Sequence, residues 1–257
     1  MTKKYTTWVF IILSGALLSS CRARFYTPNR NPVPFFEERG DLYLDGSTNI
    51  ALNKYDLTAG CAITNGLGAY AGYSGAKVSG NIDSMEFSKY RYSGNMLNLG
   101  FGYFLNSNIS ENLRFEVYGD YGKGNYRNST SGGRDEYLNG DYERIGLLGN
   151  IGYSGENFTL AYSARLSQLT FKNARYSGSD SGFWENDLKR LNSKSYYNLL
   201  EHAVQFRFGF EHVKFYGQLA AYHAFNANGD DNAIPYFTPS VMVGVILKIN
   251  PFGGGDD

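Results

Sequence analysis

Phe237-Thr238-Pro239-Ser240-Val241-Met242-Val243-Gly244-Val245-Ile246-Leu247-Lys248-Ile249 decides the fold. Side chains of an extended strand point alternately to opposite faces. Phe237, Pro239, Val241, Val243, Val245, Leu247 and Ile249 therefore share one face, and Thr238, Ser240, Met242, Gly244, Ile246 and Lys248 share the other. The same period sets Leu113, Phe115, Val117, Gly119 and Tyr121 against Arg114, Glu116, Tyr118 and Asp120. It also sets His202, Val204, Phe206, Phe208 and Phe210 against Glu201, Ala203, Gln205, Arg207 and Gly209. One face of each strand is apolar and the other carries charge, which is the pattern of a barrel wall with lipid outside and a polar lumen inside.

Extending this reading along the chain predicts ten strands near 41–52, 55–64, 67–75, 96–105, 112–123, 142–153, 157–169, 198–210, 213–225 and 236–249. Most have the roughly 9–11 residues that a tilted strand needs to cross a bilayer. Short connections at Asn65-Gly66, Asn106 to Glu111, Ser154-Gly155-Glu156 and Glu211-His212 alternate with long ones at 76–95, 124–141, 170–197 and 226–235. Membrane barrels keep short periplasmic turns and longer external loops. The fold class expected is all-β: an antiparallel up-and-down transmembrane barrel of ten strands, with eight as the alternative. An even count leaves no open sheet edge in lipid.

Composition agrees. Gly 31, Tyr 22 and Phe 18 are abundant and Pro 6 is scarce, as suits curved strands and interfacial aromatics. On the lipid face, Tyr55, Tyr73, Tyr121, Phe225 and Phe237 fall at external strand ends, and Tyr103, Phe115, Tyr153, Phe158, Phe210 and Phe215 at periplasmic ends. Lys plus Arg and Asp plus Glu both total 24. A balanced charge gives nucleic acid no footprint.

The amino terminus reads as an address. Lys3 and Lys4 precede an apolar run from Trp8 to Leu18, and Leu18-Ser19-Ser20-Cys21 looks like a bacterial lipobox. The similarity implies a signal peptide over 1–20 and covalent lipid, diacylglycerol and an N-acyl chain, on Cys21. Several acyl chains hold stably where one holds marginally. Arg22 stands where enteric bacteria place an aspartate to retain a lipoprotein at the inner membrane, so outer-membrane sorting is implied. Cys61 then has no intrachain partner, and no disulfide is expected. Residues 21–40, with Pro28, Pro32 and Pro34, read as an extended lipidated tether outside the core. With Cys21 in the periplasm-facing leaflet, the chain is expected to enter the barrel, residues 41–250, from the periplasmic side. Residues 251–257 form a tail.

Phe25-Tyr26-Thr27-Pro28-Asn29, then Pro32-Val33-Pro34-Phe35-Phe36, Glu38 and Gly40-Asp41, followed by strands rich in Gly and Tyr, resemble the small outer-membrane β-barrel lipoproteins of Bacteroidota. The resemblance covers most of the chain and implies fold and location only.

The lumen face should hold a charge network of Asp45, Asp56, Glu116, Asp120 and Glu201 with Arg114, Arg144, Arg165, Arg207, Lys214 and Lys248. Opposite charges in a confined interior have to pair, since an unpaired buried charge is costly. A salt-bridged plug is the first reading, with a structural or surface-interaction role; a narrow pore for small solutes is the alternative. A protease or lipid-modifying enzyme at the rim is a further alternative. It would use His223, with Asp230 and Asp231 in the loop beyond; His202 should face lipid and His212 a periplasmic turn. No Asp-x-His pair or serine triad accompanies His223, so no catalytic residue is assigned. Gly100-Phe101-Gly102 and Gly122-Lys123-Gly124 lie in strands without a following helix, unlike phosphate loops. Asn128-Ser129-Thr130 is a common chance match to a glycosylation acceptor. No metal-ligand spacing is present, and no cofactor beyond the lipid is implied. Partners expected are outer-membrane lipid and, through loops 124–141 and 170–197 with Trp184, Arg175, Lys189, Arg190 and Lys194, an extracellular ligand.

Metabolic labelling with a fatty acid should mark the protein, and Cys21→Ala should abolish the mark. Label that survives the substitution would show that the lipid is elsewhere.

Overall fold

The computed structural model describes residues 25–81, 89–106, 112–131, 136–178, 184–193, 196–210, 212–225 and 237–251. Ten strands form the wall: β1 Leu42–Asn49, β2 Lys54–Ala62, β3 Leu67–Asn81, β4 Lys89–Asn106, β5 Leu113–Ser131, β6 Glu136–Ser154, β7 Phe158–Ser177, β8 Tyr197–Gly209, β9 Val213–Ala224 and β10 Phe237–Ile249. Each pairs antiparallel with its neighbours in sequence, and β1 closes on β10 from Leu42↔Ile249 to Asn49↔Met242. The ten-strand reading holds, and every backbone edge is paired into the ring.

The expected faces hold on every strand. Leu97, Leu99, Phe101, Tyr103 and Leu105 point out from β4, while Met96, Asn98 and Phe104 point in and are buried. The outward girdle residues Tyr55, Tyr73, Tyr121, Phe225, Tyr103, Phe115, Tyr153, Phe158, Phe210 and Phe215 are all exposed; the Phe237 side chain lies outside the described residues. An exposed apolar band around a whole ring is stable only against hydrocarbon.

The band has a sharp upper limit. Tyr73↔Leu97 and Tyr121↔Ile145 are cross-strand partners at its rim. One outward position higher, Lys123 pairs with Glu143, and above them Asn125 pairs with Asp141. Beyond that rim β3 to β7 continue as polar strands. This corrects the predicted connections: most of 76–95 and 124–141 is strand. Their Ser, Asn and Gly content reads as loop, yet the ladder continues, with one irregularity between Asn139 and Asp141. The 170–197 connection is corrected too. β7 runs to Ser177, and a helix, α1 (Glu185–Ser193), follows. Glu185 and Asp187 lie in its first turn and Arg190 in its last, which complements the helix dipole. Trp184 and Leu191 are buried, with the Trp184 ring 5.8 Å from Tyr90. Trp184 is therefore buried in a cap over the upper mouth and is not offered to an extracellular ligand, contrary to the sequence-based expectation.

The largest correction concerns residues 25–40, the described part of the expected tether 21–40. Phe25, Tyr26, Arg30, Val33, Phe35 and Phe36 are buried, and the segment runs down the inside of the barrel. It has no regular secondary structure, as its prolines dictate, but it is core and not an external tether. Eight strands leave an interior that side chains just fill; ten leave room for one extended chain. At the upper end Phe25 packs edge-on against Tyr126 at 5.5 Å, and Tyr26 against Tyr142 at 5.4 Å. At the lower end Phe36 packs against Phe104 at 5.7 Å. A Cβ on Gly68 would lie 2.7 Å from the Phe36 ring, and one on Gly60 would lie 3.1 Å from it, so glycine there makes the notch that seats Phe36. Phe35 adopts φ 49°, a strained value for an aromatic residue, and turns the chain toward the lower rim. Gly40 N–H then bonds Ala62 O at 2.9 Å, and β1 starts upward.

Unboiled protein should migrate differently from boiled protein on SDS gels, and should stay with the membrane fraction after alkaline washing. Release by that wash would mean that the apolar band does not face lipid.

Candidate functional site in the barrel lumen

All eleven predicted lumen residues face inward. Asp45, Asp56, Arg114, Glu116, Asp120, Arg144, Arg165, Glu201 and Arg207 are buried, and Lys214 and Lys248 are half-buried at the lower end. Cys21 lies outside the described residues.

Among the described residues, four of these charges form a square across the wall. Arg144 reaches Asp120 at 2.6 Å and Glu201 at 3.3 Å; Arg165 reaches Glu201 at 2.8 Å and Asp120 at 3.5 Å. Two guanidinium groups between two carboxylates satisfy the charge balance that burial demands. The internal segment completes the square. Asn29 Oδ1 accepts from Arg144 at 2.6 Å and from Arg165 at 3.0 Å. Tyr26 donates to Glu201 Oε1 at 2.8 Å and accepts from Arg144 at 2.8 Å. Tyr70 donates to Asp120 at 2.7 Å.

The other wall charges are answered mainly by the segment, which corrects the expectation of a wall-to-wall network. Asp45 pairs with Arg30, and accepts from Tyr43 and, at 2.8 Å, from Tyr216, over whose ring the guanidinium lies at 5.0 Å. Asp56 accepts the Arg30 backbone N–H at 3.0 Å and has Lys54 at 3.6 Å. Glu116 accepts from Phe36 N–H at 3.2 Å, Asn150 at 2.9 Å and Tyr118 at 3.1 Å. Arg207 donates to Val33 O and to Gln205 and covers the Phe35 ring at 5.5 Å. At the lower mouth Lys248 binds Glu37 at 2.6 Å and Phe35 O at 3.2 Å, and Arg114 lies 3.6 Å from Glu37. Partial burial alone would raise the Glu37 carboxyl, but Lys248, Arg114 and Lys214 hold it below the ordinary value. Lys214 donates to Gly155 O at 2.7 Å.

Arg30 is the residue that sequence reasoning missed. It sits between prolines in a stretch without period, so its side chain could not be assigned a face. The available signal was on the wall: Asp45 and Asp56 lie on adjacent strands, and neither strand carries an arginine.

The rim histidines do not join this network. His202 and His223 lie side by side on the outer face, ring centroids 5.5 Å apart. Asp230 and Asp231 lie outside the described residues. Among the described residues no group of His, Cys, Asp and Glu could hold a metal ion. Chemically, the lumen can bind and hold its own segment: donors and acceptors converge on backbone and side chains of 26–37.

No protein-family model matches the chain, and no curated protein does. Solved structures of similar shape include the outer membrane protease OmpT from Escherichia coli, with 11% identity and a TM-score of 0.49 over 81% of this chain and 93% of that chain. They include the translocator domain of the autotransporter NalP from Neisseria meningitidis, with 12% identity and a TM-score of 0.46 over 81% of this chain and 86% of that one. LpxR from Salmonella typhimurium is similar at 8% identity and a TM-score of 0.35, over 80% and 99%. At these values no residue role passes to this chain.

Glu201→Gln should lower stability by about 3–5 kcal/mol, because it leaves two buried guanidinium groups short of a counter-charge. The readout is a lower temperature for conversion between the folded and unfolded gel forms. Lys172→Ala, which removes only the exposed pair with Glu143, should leave that temperature nearly unchanged. Equal shifts would show that burial gives the network no special weight.

Proposed function

We propose that this chain is an outer-membrane β-barrel lipoprotein, anchored through Cys21, whose lumen is closed by its own amino-terminal segment. Its role is structural or one of surface interaction. The observation that carries the reading is the burial of Phe25 to Phe36 inside the ring, bonded to the wall at every level. A solute path would have to displace these contacts and leave Asp45, Glu116 and Glu201 without partners from the segment. The exposed apolar band supports placement in a bilayer, and the likeness of residues 25–41 to the Bacteroidota lipoprotein barrels supports an outer-membrane setting. The upper end, with the polar strand extensions and α1, is read as the external face. Its exposed side chains on α1, Asn186, Lys189 and Asn192, are the surface offered to an extracellular partner.

Planar-bilayer recording tests closure. The intact protein should give no steady openings. Stable porin-sized openings in the intact protein would overturn the reading.

A further inference from the structure

We propose that the amino-terminal end of the lumen segment leaves the barrel through the capped upper mouth, so that lipid on Cys21 is displayed on the cell surface and not in the periplasm-facing leaflet. This rests on the reading of Cys21 as acylated in an outer-membrane barrel. It reverses the direction from which the chain was expected to enter.

The direction of the segment is set by contacts along its length. Phe25 meets Tyr126, and Tyr26 meets Tyr142. Thr27 bonds Tyr92, Lys54 donates to Pro28 O, and Arg30 meets Asp45. Asn150 donates to Pro32 O, Arg207 to Val33 O, and Lys248 to Phe35 O. Tyr126, Tyr142 and Tyr92 belong to the upper parts of β5, β6 and β4; Lys248 and Arg114 belong to the lower ends of β10 and β5. The path therefore runs from the end that carries α1 to the end where β1 begins.

The upper contacts also lie beyond the apolar band. The band ends at Tyr121↔Ile145; Tyr142 pairs with Gly124 and Tyr126 with Gly140, both further up the same strands. Phe25 is thus already above the lipid-facing zone. Cys21 is four residues earlier, which gives a reach of at most about 14 Å at ~3.6 Å per residue. A return to the lower end would have to cover the length of the segment from 25 to 36, on the order of 36–40 Å extended. It would also have to pass a lumen that the segment already fills. Lateral exit is blocked because β1 to β10 form a closed hydrogen-bonded ring. The upper mouth is the exit that remains.

The test uses the full-length chain carrying Cys61→Ser, with one new cysteine at a time: Ala23→Cys near the amino terminus, Asn186→Cys on α1, or Glu38→Cys in the lower turn. Intact cells are treated with a membrane-impermeant maleimide, before and after the outer membrane is permeabilised, and folding is checked by the gel shift. Ala23→Cys should react on intact cells together with Asn186→Cys, while Glu38→Cys should react only after permeabilisation. Protection of Ala23→Cys in step with Glu38→Cys would overturn the proposal. Fatty-acid labelling of the same strains separates the two readings. External reaction at position 23 without fatty-acid label would overturn surface display of a lipid through failure of the anchor, and protection with label present would overturn it through failure of the path.

Discussion

A carboxylate turned into a sealed barrel must meet a positive charge or a set of donors inside the same ring. That constraint organises this protein. Among the described residues Asp45, Asp56 and Glu116 form no direct salt bridge with a wall arginine, and the segment answers them with Arg30, the Arg30 backbone and the Phe36 backbone from within. The segment is in turn held by the wall's own cations: Arg144 and Arg165 grip Asn29, Arg207 grips Val33 O, and Lys248 grips Phe35 O. Each supplies polar partners to the other, so wall and segment form one core. The three glycine-lined or aromatic seats follow from that, since they fix the depth at which each polar pair meets.

The outer face obeys a different solvent. Between the two girdles it presents Leu, Ile, Val and Phe, and above the upper girdle it turns to Lys123, Glu143, Asn125 and Asp141 without any break in the ladder. The strands are longer than a bilayer requires, and the surplus builds a polar collar. Inside the collar, Phe25, Tyr126, Tyr142, Phe171 and Tyr197 form an edge-to-face aromatic cluster that Trp184 and Leu191 join. The collar thus carries polar side chains outside and a mainly aromatic packing inside, whereas the zone below it is apolar outside and charged within.

Much of this could be read from residue order. Alternation assigned every strand a face and turned all eleven ionisable side chains inward, because a half-polar strand in a barrel has no other stable arrangement. The collar was hidden by composition: Lys77 to Asn81 and Lys123 to Ser131 are polar on both outer positions and rich in Ser, Asn and Gly, so hydrophobic period carried no signal there. The lumen segment was hidden by its prolines, which remove donors and period together and make core look like linker. Its aromatic density was a clue, beside the Asp45 and Asp56 carboxylates on the wall. Trp184 was similarly misplaced, since nothing in a Ser- and Gly-rich neighbourhood shows that a helix one residue later will press it into the mouth.

The seam between β1 and β10 has a consequence for assembly. Leu42 pairs with Ile249, and the residues just before β1 are those locked inside. Phe36 sits against Gly60 and Gly68 and Phe35 against Gly152, positions where a side chain on the wall would collide with the phenylalanine ring. The finished cylinder encloses the chain that lies in its trough. The β1–β10 ladder closes the ring at the largest sequence separation in the molecule and therefore with the largest loop entropy to overcome. In kinetic terms the amino terminus is the slow participant: refolding should wait on the docking of a dozen irregular residues, not on the formation of the hairpins that surround them.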